Sequence, residues 1–107
     1  MVSALLLAAV VRLYHPVAVK DIPTTKWTHV CTVGTVAMVA RERDGDIHIR
    51  LVDGEAFVIL ETIPGLPLPR PKKGQRIEAC GIVREDKGHR WYELHPLERW
   101  ALRPVKE

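Results

Sequence analysis

The chain has 107 residues, of which 47% are hydrophobic and 27% charged, which is the composition of one globular domain and excludes a disordered or collagen-like chain. Sixteen Lys and Arg against thirteen Asp and Glu give a net charge of +3, which permits an anionic partner without requiring one. Two cysteines exclude a disulfide-dense scaffold and any four-cysteine zinc site.

The N-terminal segment is apolar from Val2 to Val11 except for Ser3. It is too short to span a bilayer, which takes about 20 apolar residues, and it lacks the positive charge that opens a signal peptide. Its Ala and Leu residues favour a short helix from Ser3 to Tyr14, ended by Pro16. The sequence thus predicts a cytoplasmic protein. An exported one, with residues 1–19 as a signal sequence, is the alternative.

A helix that is apolar on all sides must pack on the domain or on another copy, so the segment also predicts a homo-oligomer. Residues 15–25 contain Pro16 and Pro23 and are interpreted as a connector. Residues 1–25 are therefore expected to form a helix and connector, and residues 26–107 the main domain.

The rest of the chain is typical of consecutive strands. The first predicted strand, Thr28 to Arg41, is rich in Val and Thr, with a bulge or bend expected at Gly34. The second and third form a hairpin about an Asp53-Gly54 turn, which places Leu51 opposite Ala56. This register gathers six apolar side chains on one face: Ile47, Ile49, Leu51, Ala56, Val58 and Leu60.

A loop with four prolines between Pro64 and Pro71 follows the hairpin and excludes a helix or a central strand. The fourth predicted strand is Gln75 to Arg84, and the fifth is His89 to Leu94. The tail, Glu98 to Arg103, is either a further strand or a helical turn. Five strands, with glycines inside the first and the fourth, predict an all-β, OB-like barrel preceded by a short helix. Its predicted interior contains Ile47, Ile49, Leu51, Val58, Leu60, Ile77 and Val83.

Two short motifs carry a family resemblance. They are an Asp-Gly-Asp-x-His turn, at Asp44, Gly45, Asp46 and His48, and a Glu-Leu-His-Pro ending, at Glu93, Leu94, His95 and Pro96. With the runs around them, the chain resembles small bacterial OB-fold proteins of unassigned function over about residues 30–100. The resemblance implies a barrel and no particular activity.

The outer face of predicted strands two, three and five is the candidate binding surface, because OB-folds commonly bind oligonucleotides and oligosaccharides near this face. The register places outward Asp46, His48 and Arg50, then Phe57, Ile59 and Glu61, then Trp91, Glu93 and His95.

The first hypothesis is a non-enzymatic binder of single-stranded DNA or RNA. Phe57 and Trp91 would stack on bases, and cations would contact phosphates. The carboxylates on the same face oppose it, and the cations are equally expected as ordinary solvated charges. The candidate phosphate contacts are Arg50, Arg70, Lys72, Lys73, Arg84, Lys87 and Arg90.

The second hypothesis is a small metal-dependent hydrolase, because one part of the face carries the side chains that bind a divalent ion or transfer protons. Those residues are Asp46, His48, Glu61, Glu93 and His95. Their spacing matches no known metal motif, and structural roles for Asp46 and His95 are the simpler interpretation. Cys31 and Cys80 would join a soft-metal site only if they shared a face, and each is more simply a small buried hydrophobe.

The third hypothesis is a protein-interaction module that assembles through the N-terminal helix or the tryptophans, Trp27, Trp91 and Trp100. No phosphate-binding loop, dinucleotide fingerprint or serine nucleophile elbow is present in the sequence. A binding protein that requires no cofactor is therefore the favoured prediction.

Overall fold

A computed structural model of the protein describes residues 13–62, 65 and 68–105. This part of the chain forms one seven-stranded sheet and one short 3₁₀ helix, Val19–Thr24. The strands are β1 (His15–Pro16), β2 (His29–Arg41), β3 (Ile47–Asp53), β4 (Ala56–Thr62), β5 (Arg76–Asp86), β6 (Trp91–His95) and β7 (Leu102–Pro104).

The strand order is β1-β2-β3-β4-β6-β5-β7, and β2 also pairs with β5. The pairings among β2, β3, β4, β6 and β5 therefore form a closed circuit, and β1 and β7 are additions to its edges. The closed circuit has five strands, as predicted, but the described residues contain seven, because β1 was missed and the tail that holds β7 was left open between a strand and a helical turn. These strands have only two and three residues, too few to show an alternating pattern.

The interpretation of residues 15–25 as a plain connector is also corrected. His15 and Pro16 pair in parallel with β2, and the 3₁₀ helix buries Val19 and Ile22, each 1% exposed, in the core. Residues 3–12 of the predicted N-terminal helix lie outside the described residues. Tyr14, where that helix was expected to end, is buried against the rings of His29 and Trp100.

The hairpin of β3 and β4 has the predicted faces but a different register. Leu51 lies opposite Val58 rather than Ala56, and Ile49 lies opposite Leu60 rather than Val58. The two turn residues are Gly54 and Glu55, and only the glycine has a positive φ, +63°. This pattern is typical of a type II′ turn, which takes glycine first, whereas the predicted turn had glycine second. The shift is by two residues, so every side chain keeps its face.

The core lies inside the circuit of strands and includes most of the predicted interior. Ile49, Leu51, Val58, Leu60 and Ile77 are at most 2% exposed. Ile47 and Val83 are partly buried and pack against the core. The irregularity in β2 falls between Val36 and Met38, not at Gly34 as expected.

Cys31 and Cys80 are directly opposed on β2 and β5 and form a disulfide. A soft-metal site that includes them is therefore wrong, because their sulfurs are bonded to each other. Within the described residues, no helix has the length and apolar character needed to cross a membrane.

Candidate nucleic-acid interface

The outer face of β3, β4 and β6 is assembled by two strand pairings. Antiparallel pairing of β3 and β4 sets His48 opposite Glu61. Parallel pairing of β4 and β6 sets Ile59 beside Glu93. Because every second residue shares a face, Phe57 then lies beside Trp91, and Glu61 lies beside His95. The face therefore has an aromatic end and an acidic end. Its centre is covered, because Ile59 is 3% and Glu93 6% exposed.

Four side chains at the acidic end, His48, Glu61, Glu93 and His95, are called the His/Glu cluster below. His95 Nε2 lies 2.9 Å from Glu93 Oε1 and 3.3 Å from Glu61 Oε2. His48 Nε2 lies 3.5 Å from Glu61 Oε1, and its Nδ1 lies 3.3 Å from Glu42 Oε1. The fold thus brings together four of the five residues predicted as metal ligands.

The two carboxyl groups of the cluster have opposite pKa shifts. Burial raises the pKa of Glu61, and its hydrogen bond with Glu93 and the negative charge of Glu93 raise it further, while His95 and His48 act against this. Burial by itself would raise the pKa of Glu93. Hydrogen bonds from Trp91, Glu61 and His95 outweigh burial and lower it. Glu93 is thus the member that stays ionised, and Glu61 is the member that takes up a proton more readily.

Asp46 lies near the cluster but is not among the atoms that converge. Its N–H donates to Asp44 Oδ1 at 3.0 Å, and its carbonyl accepts from the N–H of Glu42 at 2.7 Å. These bonds hold the turn before β3. The carboxylate of Asp46 belongs to a groove of about 390 Å³ between that turn and the turn before β6, called the acidic groove. Its lining residues are Glu42, Arg43, Asp44, Asp46, His48, Glu61, His89 and Trp91.

A second groove, of about 340 Å³, lies at the other end of the face and is called the aromatic groove. Trp91 lines both grooves, and its indole N–H donates to Glu93 Oε2 at 2.9 Å. Trp91 also stacks on His89 at 4.4 Å between ring centroids. The guanidinium of Arg50 lies 4.1 Å from the centre of the Phe57 ring. The aromatic groove is lined by Val19, Lys20, Pro23, Glu55, Ala56, Phe57, Arg90, Trp91 and Tyr92.

The predicted phosphate contacts are not all at one place. Arg50 and Arg90 belong to the aromatic end, and Lys87 is exposed in the turn that also carries Arg90. Arg70 lines a separate groove with Arg103 and Pro104 beside β7. The remaining three are exposed, with Arg84 on β5 opposite Glu93, and Lys72 and Lys73 in the proline loop.

Three residues of the face were not singled out by sequence. Lys20 lies on the 3₁₀ helix, which was interpreted as a connector. Tyr92 alternates with Trp91 and Glu93 on β6, and it packs against the core while also lining the aromatic groove. His89, in a turn, stacks on Trp91 only because the turn folds back. The meeting of Lys20 with Tyr92 at one groove has no signal in the local pattern, since it joins segments that are distant in sequence.

Comparison with known proteins identifies the fold. No protein-family model and no curated protein matches the chain. A chain of a replication protein A heterotrimer bound to ssDNA is similar, with 13% identity, a TM-score of 0.66 and coverage of 88% of this chain and 82% of that one. The telomere-capping protein Ten1 from Saccharomyces pombe is also similar, with 20% identity, a TM-score of 0.60 and coverage of 83% and 78%.

A third similar structure is OBody AM1L10 bound to hen egg-white lysozyme, with 21% identity, a TM-score of 0.57 and coverage of 75% and 81%. At these identities the likeness is one of fold alone. The chain has an OB-type fold, in agreement with the closed circuit of strand pairings.

Proposed function

We propose that the protein binds single-stranded nucleic acid, without a cofactor or a reaction, through the outer face of β3, β4 and β6. The observation that supports this most strongly is the aromatic groove, where Phe57, Trp91 and Tyr92 lie with Lys20 and Arg90. Rings beside cations are the combination that a single strand requires, because bases stack on the rings and phosphates pair with the cations. The similar replication protein A structure holds ssDNA, which is in line with this choice of ligand.

The charges of the two grooves favour one end of the face for a bound single strand of nucleic acid. The described lining of the acidic groove has four carboxylates, Glu42, Asp44, Asp46 and Glu61, against the single guanidinium of Arg43. A phosphate backbone is repelled there. The described lining of the aromatic groove has Lys20 and Arg90 against Glu55. The strand therefore passes the aromatic end, and the carboxylates that opposed the hypothesis in the sequence lie mostly at the other end.

The arrangement around each ring predicts how a base is received. Arg50 already covers one face of Phe57, so a base would stack on the guanidinium plane, a contact that recurs in recognition of single strands. His89 covers one face of Trp91, and a base would reach this ring from the aromatic groove that Trp91 also lines. Stacking of this kind tolerates any base, so we expect little sequence preference.

Fluorescence anisotropy of labelled oligo-dT and oligo-U at low salt tests the proposal. Trp91→Ala and Phe57→Ala each remove a ring worth about 1–3 kcal/mol per base, so affinity should fall about 5- to 150-fold. Trp27→Ala is the matched control, because Trp27 is exposed but stacks on His15, away from both grooves. Lys20→Ala, which removes an exposed cation of the aromatic groove, should mainly reduce the dependence of affinity on salt. Absence of binding by the wild type, or an equal loss in Trp27→Ala, contradicts the proposal.

Three further features are also proposals. The homo-oligomer depends on the predicted N-terminal helix, of which residues 3–12 lie outside the described residues. The resemblance to small bacterial OB-fold proteins depends on two short motifs. For location, the cytoplasmic prediction and its exported alternative differ in redox environment. The Cys31–Cys80 disulfide favours the exported alternative, since disulfides persist mainly in oxidising compartments.

A further inference from the structure

The His/Glu cluster joins two carboxylates to two imidazoles on one face. Two carboxylates, one of them the 6% exposed Glu93, lie together on the face. Among the described residues, the ion-pair partners of Glu61 and Glu93 are imidazoles only, with no Lys or Arg. A buried carboxylate is costly unless a cation or strong hydrogen bonds compensate it. A cluster that joins such a carboxylate to a second one and to histidine nitrogen has the donor set of a divalent transition metal.

The distances between the donor atoms agree with a common centre. Zinc binds imidazole nitrogen at about 2.0–2.1 Å and carboxylate oxygen at about 2.0–2.2 Å, so two ligands of a tetrahedral ion are about 3.3–3.4 Å apart. His95 Nε2 is 3.3 Å from Glu61 Oε2, which matches this separation, and 2.9 Å from Glu93 Oε1, a hydrogen-bonded pair that must separate slightly to admit an ion. One donor atom from each of the three residues lies within 4.8 Å of the other two.

The oxygens that are not part of this triangle already have partners. Glu93 Oε2 accepts the indole N–H of Trp91, which leaves Oε1 directed at the triangle. Glu61 Oε1 contacts His48, which in turn contacts Glu42, and this leaves Oε2 directed at the triangle. Such outer contacts fix the orientation of metal ligands. Here they orient both carboxylates toward His95 Nε2.

We propose that Glu61 Oε2, Glu93 Oε1 and His95 Nε2 bind one divalent transition-metal ion of the zinc type, with His48 and Trp91 as positioning residues. Three protein ligands leave a fourth position for water or an anionic group. The inference includes no reaction. It does not rest on nucleic-acid binding, because the protein's own side chains hold the ion.

The test uses the full chain, without a histidine tag and with the disulfide intact, and no nucleic acid. Co²⁺ is titrated while its visible d–d absorption is followed, and Zn²⁺ is titrated by calorimetry. We expect one equivalent to bind, with Mg²⁺ at the same concentration failing to compete. Glu93→Gln and Glu61→Gln should each weaken binding at least tenfold, and His48→Gln about 10- to 100-fold through Glu61.

Glu78→Gln is the matched control, because Glu78 is a carboxylate of β5 that pairs with Arg103 of β7, away from the cluster. It should leave Co²⁺ affinity unchanged. Circular dichroism shows whether each variant is folded, and Glu61→Gln, at a less buried position, decides the matter if Glu93→Gln unfolds. Absence of one-equivalent binding in the wild type, unchanged affinity in Glu61→Gln, or an equal loss in Glu78→Gln overturns the inference and leaves the cluster as a proton-sharing pair.

Discussion

Two glycines occupy points where the backbones of the sheet approach too closely for a side chain. A Cβ on Gly34 would lie 2.7 Å from the carbonyl oxygen of Val52, and one on Gly81 would lie 2.5 Å from that of His95. The sequence predicted a bend or bulge at Gly34, whereas the physical requirement at both positions is space. Gly81 also affects the candidate site, because it sets how closely β5 approaches the end of β6, where His95 lies.

Gly81→Ala should therefore lower the free energy of unfolding by about 1–3 kcal/mol, as overpacking of well-filled sites does. Gly88→Ala is the control, since a Cβ there would meet only Asp86 Oδ1 at 3.4 Å. Urea denaturation of both variants measures the difference. Equal stability of the two variants would show that β6 moves aside without cost.

The pair of His89 and Asp86 predicts how the stability of the fold depends on pH. Hydrogen bonds from the side chain and backbone of His89 lower the pKa of Asp86, and the hydrogen bond with Asp86 raises the pKa of His89 above its ordinary 6.5. The raised imidazole pKa adds stability that is fully present below 6.5 and is lost as pH rises through the folded value. The lowered carboxyl pKa adds stability that is present above 3.8 and is lost as pH falls through the folded value.

An NMR titration of the His89 ring should give a pKa above 6.5 in the wild type and a lower value in Asp86→Asn. Asp53→Asn, a change of the same kind at an exposed position outside the acidic groove, should leave it nearly unchanged. A wild-type value at or below 6.5 would contradict the pairing. Because His89 stacks on Trp91, its titration also reports on one wall of the face.

Among the elements, the hairpin shows what alternation in a sequence determines and what it does not. The inward set at Ile49, Leu51, Val58 and Leu60 followed from the period of two, and it is confirmed. The pairing partners depended on which two residues form the turn, and Asp53-Gly54 and Gly54-Glu55 give the same faces. Alternation with a period of two cannot distinguish registers that differ by two residues, so the alternation alone could not give the correct pairing partners.

The disulfide connects β2 to β5, the pairing that closes the circuit of strands. Its cysteines are 49 residues apart, and the loss of loop entropy in the unfolded chain predicts about 4 kcal/mol of stabilisation, of which about 2–4 kcal/mol is usually observed. Reduction should lower the free energy of unfolding by that amount without abolishing the fold, since six further residue pairs join the two strands.

Urea denaturation with and without a reductant measures this effect, and thiol titration under denaturing conditions counts free sulfhydryls. The Cys31→Ser/Cys80→Ser double variant is the control and should not respond to reductant. Two free thiols in the protein purified without reductant would contradict the disulfide.

At the scale of the whole molecule, the sequence predicted the strands and the fold better than the arrangement of side chains on the outer face. Long alternating strands and an OB-type fold were predictable because burial on one side imposes a pattern. The OB-type fold places two strands that are distant in sequence side by side, and the meeting of Glu61 with His95 was predicted from that placement. The separation of the face into an aromatic and an acidic end was not predictable, because it depends on turns that fold over it and on Lys20 from the 3₁₀ helix.

The three tryptophans make the central claim directly measurable, since each indole N–H gives its own NMR signal. In a ¹⁵N-labelled sample titrated with unlabelled oligo-dT at low salt, the indole signal of Trp91 should shift together with amides of β4 and β6. The indole signals of Trp27 and Trp100 should stay in place, because these rings pack against His15 and Tyr14 instead. Shifts confined to Trp27 or Trp100, or no shift of any signal, would contradict binding of single strands on the outer face of β3, β4 and β6.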